Sequence, residues 1–145
     1  FEGTIDKLVA LAVLMPIVAG LGGNAGTQVL ALMVRGLALG QVGASNARTL
    51  LWKEVRVALL NGVMLGSVLG LIVLAWFHSP GLSAVIAIAL TCNLLFAALA
   101  GVLVPLTLKR FGFDPALASG IFLTAVTDSM GFFTFLGLAT LVLLH

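Results

Sequence analysis

One carboxylate stands apart from every other charge in the chain. Asp128 lies in Leu123-Thr-Ala-Val-Thr-Asp-Ser-Met-Gly131, within an apolar run, with Thr124, Thr127 and Ser129 as polar neighbours. On a helix Thr124 falls one turn before Asp128, on the same face. A carboxylate ringed by hydroxyls suits a hard cation. Mg2+ takes oxygen ligands, holds its waters tightly and uses only one or two carboxylates. One chain supplies one Asp; two chains around an axis would supply two and balance a dication. No His or Cys accompanies Asp128, which argues against a thiophilic metal. The bland reading is a neutral, hydrogen-bonded Asp packed against another helix.

A second polar constellation is Gly22-Gly-Asn-Ala-Gly-Thr-Gln28, where Asn24 is flanked by Gly23 and Gly26 and Gln28 follows one turn later. Two readings stand side by side. The glycines let the backbone leave helical geometry and present carbonyls beside a pore-lining pair of amides. Equally, they make a packing seam in which the amides bond across helices. Asn61, Thr91 and Asn93 are read first as interhelical glue, with Asn93 kept as a supporting residue. Gly62, Gly66 and Gly70 form overlapping Gly-x-x-x-Gly steps, read as helix packing.

The elements that position these residues follow from composition. The 145 residues are 61% hydrophobic and 8% charged, against about 25% charged in soluble domains. A core of this size cannot hide so much apolar surface, so lipid is the solvent. The expected architecture is all-α, a polytopic membrane helical bundle forming one transmembrane domain over residues 1–145, with spans at about 8–34, 55–77, 84–108 and 116–144. Asp128 then sits about 18 Å into the fourth span, near mid-membrane. An unpaired Asp there costs about 2.5–3.5 kcal/mol, which demands protonation, water or a cation. The first run is longer than the ~30 Å hydrocarbon core and is expected to tilt, kink or break near its glycines.

The seven Lys and Arg mark topology rather than a nucleic-acid surface, despite the net charge of +2. Arg35, Arg48 and Lys53 fall in the 35–54 connection, and Lys109 and Arg110 in the 109–115 connection. The positive-inside rule places both in the cytoplasm and both chain ends outside. A first visible residue outside the membrane implies an earlier span, and the start at Phe1 is read as a cut from a longer protein. Trp52 and Trp76 are expected at the two interfaces. Cys92 is alone, so no disulfide framework is expected.

The motifs Pro16-Ile-Val-Ala-Gly-Leu-Gly-Gly-Asn-Ala-Gly-Thr-Gln28 and Thr127-Asp-Ser-Met-Gly-Phe-Phe-Thr-Phe-Leu-Gly-Leu-Ala139 resemble those of the MgtE family of magnesium channels and transporters. The likeness extends over essentially the whole chain, including the Asn-Ala-Arg-Thr-Leu-Leu-Trp-Lys-Glu approach to the second span. It implies a homodimer in a membrane, expected to be the bacterial inner membrane, with five spans per subunit and a pore on the dimer axis. It further implies an intramembrane site for a largely hydrated Mg2+ at Asp128, helped by backbone near Thr124. Relative to the family, the first span and the regulatory cytoplasmic domains lie outside this sequence.

The functional expectation is therefore a Mg2+-selective, channel-like pore. Asp128 attracts the ion and Thr124 and Thr127 shape the site. Asn24, Gln28, Gly23, Gly26 and Asn93 line or support it. A proton-coupled secondary transporter of divalent cations is the alternative, since it too places a carboxylate at mid-membrane. An intramembrane hydrolase fits poorly: it needs paired aspartates, a Ser with a buried His, or a metal cluster, whereas His78 and His145 fall at span ends. A structural subunit whose polar seam only assembles a complex is the remaining reading.

Overall fold

The computed structural model describes residues 2–41, 43 and 45–142. Four helices account for nearly all of them: α1 (Glu2–Ala38), α2 (Ala47–Phe77), α3 (Pro80–Arg110) and α4 (Pro115–Val142). Each is long and apolar enough to cross a membrane. The helices extend beyond the spans expected from hydropathy, because a helix persists into the interface where its side chains turn polar. The expected end of the fourth span at 144 lies outside the described residues.

α1 is not broken at its glycines. It runs as one helix through Pro16 and through Gly20 to Gly26. The glycines serve close packing instead, as the seam described below shows.

The helix ends follow local chemistry. α1 and α3 both close with a Schellman turn. Gly40 has φ 72° and Gly112 has φ 85°, and the next residues reach back, Gln41 N–H to the Gly36 carbonyl at 2.8 Å and Phe113 N–H to the Leu108 carbonyl at 2.9 Å. Between α2 and α3 the turn is tight: His78 caps α2 in the left-handed region, Ser79 accepts from Leu82 N–H at 3.2 Å, and Pro80 opens α3. Asp114 accepts from Ala116 N–H at 3.0 Å at the start of α4.

α3 is the central helix. It packs against each of the other three, while α1 also meets α4 and scarcely touches α2. Small residues on α2 make the α2–α3 approach possible. Gly62, Gly66 and Gly70 face Thr91, Ala87 and Ser83, and a Cβ on Gly62 would lie 2.9 Å from the Thr91 backbone. Ser83 Oγ closes the far end by donating to the Gly70 carbonyl at 2.7 Å. At the same end Val18, Val85, Ile86 and Phe135 form the largest apolar cluster.

The outward surface is apolar. Trp76, Ile121 and Phe133 are each at least 75% exposed, which in water would be a severe liability and in lipid is the solvated state. Trp52 and Trp76, both exposed on α2, are separated by about 36 Å at ~1.5 Å per residue. That separation exceeds the ~30 Å of a hydrocarbon core.

Candidate functional site

The polar residues of α4 meet the glycine-rich stretch of α1 along one seam. α4 presents Leu123, Thr127 and Gly131 inward; Leu123 and Thr127 are essentially without exposure. Opposite them lie Gly26, Gly23 and Ala19 of α1: a Cβ on Gly26 would come 2.9 Å from Leu123 Cδ1, and one on Gly23 would stand 3.8 Å from Thr127 Oγ1. Thr127 Oγ1 donates to the Thr124 carbonyl at 3.2 Å. The hydroxyl is thereby satisfied within its own helix, which removes the cost of burying it.

Asp128 follows Thr127 and is turned about 100° from it around α4. That rotation brings it out of the packed seam to a half-buried position, while Thr124 and Ser129 are exposed. Asp128 is the only charged residue in α4. Among the described residues no group of three or more His, Cys, Asp or Glu gathers, so any cation held here relies on one carboxylate per chain, with hydroxyls, carbonyls and water.

Asn93 of α3 joins the seam from behind. It is fully buried, and its amide donates to the Val18 carbonyl at 3.0 Å. It sits between two glycines: a Cβ on Gly131 would come 3.0 Å from the Asn93 amide nitrogen, and one on Gly22 would collide with the same amide. The Asn93 carbonyl oxygen has no partner among the described residues. Asn93 thus acts as the glue expected of it, tying α3 to α1 directly behind the turn of α4 that carries Asp128.

The two amides of the α1 motif separate. Asn24 is exposed, whereas Gln28 opens onto a crevice between α1, α2 and α3 shared with Glu54 and Asn61. Glu54 is the residue that hydropathy reading missed. It was expected in the connection before the second span, but α2 begins at Ala47 and Glu54 lies inside it, only 8% exposed. A signal existed: Glu54 and Ala58 continue the fourfold stripe of Gly62, Gly66 and Gly70, all of them buried.

Comparison with known proteins is consistent across the chain. The family profile described as MgtE, divalent cation transporter, matches residues 15–138. The chain is 36% identical to the magnesium transporter MgtE of Enterococcus faecalis over 97% of its length. It is 31% identical to that of Bacillus subtilis over 97% and 35% identical to that of Thermus thermophilus over 99%. The chain spans 31–32% of the length of these relatives. A match over most of its residues, carried by four membrane-length helices, makes this chain a member of the MgtE family of divalent cation transporters.

Proposed function

We propose that two copies of this chain form a Mg2+-selective, channel-like pore, with α1 and α4 toward the dimer axis and Asp128 as the intramembrane ion site. The observation that carries the reading is the placement of Asp128: the only charge on α4, half-buried beside the α1 seam rather than sealed into it. A carboxylate that is open on one side and unaccompanied by a basic residue on its helix is set to meet water or a cation. The relatives named as magnesium transporters supply the ion.

In this reading Asp128 attracts the dication while water remains around it, and the exposed Thr124 face bonds retained waters. Thr127 and Asn93 hold the backbone that presents Asp128, and Asn24 lies on the outer face of α1. The ends of α1 and α3 face the cytoplasm, so the membrane potential drives the ion inward, at about 2.3 kcal/mol per elementary charge per 100 mV.

The test is Mg2+ flux into proteoliposomes under an imposed potential, comparing the wild-type protein with Asp128→Asn at matched dimer content. Collapse of flux with the dimer intact is the expected result. Unchanged flux overturns the Asp128 site, and flux that follows a proton gradient rather than the potential replaces the channel with the proton-coupled transporter.

A further inference from the structure

Glu54 occupies a place where the packing pattern calls for a small apolar residue. Along α2 the buried stripe reads Glu54, Ala58, Gly62, Gly66, Gly70. Its glycines press directly against α3. At the Glu54 end the contact opens, because α1 and α2 both lean on α3 while scarcely touching one another. The opening is a crevice of about 230 Å³. Its polar lining is Gln28 from α1 with Glu54 and Asn61 from α2, and its floor is Leu94 and Ala98 of α3.

The residue Glu54 is more than nine-tenths buried and lines this crevice. None of the side-chain hydrogen bonds among the described residues engages its carboxylate, and no basic residue lines the crevice. The nearest bases on its helix, Lys53 and Arg56, are exposed on other faces, and Arg56 Nε is turned back to the Trp52 carbonyl at 3.4 Å. Arg35 on α1 and Lys109 and Arg110 on α3 are also exposed. The residue's small remaining exposure opens onto the crevice, where a carboxylate with no basic partner among the described residues is set to meet water or a cation.

We infer that the crevice between α1, α2 and α3 is a second divalent-cation site, with Glu54 as the anionic ligand and the amide oxygens of Gln28 and Asn61 bonding the ion or its water. The donor set is all oxygen, as a hard cation requires. The crevice is roomy enough to hold several waters, so an ion that keeps part of its hydration shell is accommodated. Gln28 and Glu54 both lie within about three turns of the ends joined by the connection after Ala38, at roughly 15 and 10 Å from those ends at ~1.5 Å per residue. The site is thus approached from the loop side, on the flank of α1 away from Thr127. It does not depend on Asp128 being an ion ligand.

The experiment titrates Mn2+, read by its paramagnetic resonance signal, into the full chain in lipid nanodiscs, with Mg2+ as competitor. The variants are Asp128→Asn, Glu54→Gln and the two combined. The expected result is that Asp128→Asn retains a Mg2+-displaceable Mn2+ site, and that adding Glu54→Gln weakens it at least about tenfold. Gln28→Ala in the Asp128→Asn background, which alters an exposed amide and leaves the α2–α3 stripe untouched, is expected to weaken it severalfold. The inference is overturned if the double variant binds like Asp128→Asn, or if Glu54 shows a protonated-carboxyl infrared band that Mg2+ does not change. Failure of the Asp128 site registers separately, as Asp128→Asn binding the same Mn2+ as wild type.

Discussion

The Asn93 amide donates to the Val18 carbonyl at 3.0 Å, a bond between residues 75 apart in the chain that ties α3 to α1. The side chain is held between Gly22 and Gly131, which sit on α1 and α4 and leave the space it fills. One polar side chain thereby fixes three helices at the level of the Asp128 turn.

Asn93→Ala therefore removes an interhelical bond and opens a gap at the junction of α1, α3 and α4. Membrane hydrogen bonds average about 0.6 kcal/mol with a maximum near 1.7, and the lost packing adds to that. The expected outcome is a loss of about 1–3 kcal/mol in a reversible detergent-unfolding titration. An unchanged midpoint would show that the bond contributes nothing net.

Single added methyl groups on α1 rank by what they meet. Gly22→Ala drives a Cβ into the trapped Asn93 amide, Gly26→Ala meets the flexible end of Leu123 at 2.9 Å, and Gly20→Ala meets nothing within 4 Å. Thermal melting in detergent is expected to order them Gly22→Ala, Gly26→Ala, Gly20→Ala from most to least destabilised, with the last within about 0.5 kcal/mol of wild type. Any other order contradicts the seam.

On α2 the decisive neighbour is backbone rather than side chain. A Cβ at Gly62 lies 2.9 Å from Thr91 Cα, and one at Gly66 lies 3.1 Å from the Ala87 carbonyl oxygen, and neither can rotate away. Gly62→Val is expected to separate α2 from α3 and cost about 2 kcal/mol or more, whereas Val63→Ala on the exposed face leaves stability nearly unchanged. Cross-linking yield between cysteines placed on α2 and α3 checks the separation.

Thr127 tests positioning apart from charge. Its hydroxyl is buried and bonded to the Thr124 carbonyl at 3.2 Å. Thr127→Ser keeps that bond and is expected to keep flux. Thr127→Val keeps the shape but removes the second hydrogen bond to the Thr124 carbonyl, one turn before Asp128, with a stability change near 1 kcal/mol and a severalfold loss of Mg2+ flux. Equal flux in the two variants would assign Thr127 to packing alone.

Much of this was written in the chain. Long apolar runs with charges confined to the gaps specify membrane helices, because no aqueous core can hide them, and Asp128 is conspicuous because it interrupts such a run without a basic partner. Hydropathy could not place residues around the helix axis, since lipid-facing and buried residues of a membrane helix are equally apolar. Phe132 and Phe133 are exposed while Phe135 is fully buried in the core, though all three read alike. Asn24 and Gln28, about 40° apart on α1, part company for the same reason: a small rotation of α1 against its neighbours puts one outside and the other in the crevice. Glu54, beside Lys53 and Arg56, looked like part of an interfacial loop. It became a largely buried residue at the edge of a crevice only when α2 leaned on α3 while α1 stayed clear of α2, an arrangement set by packing between segments far apart in the chain.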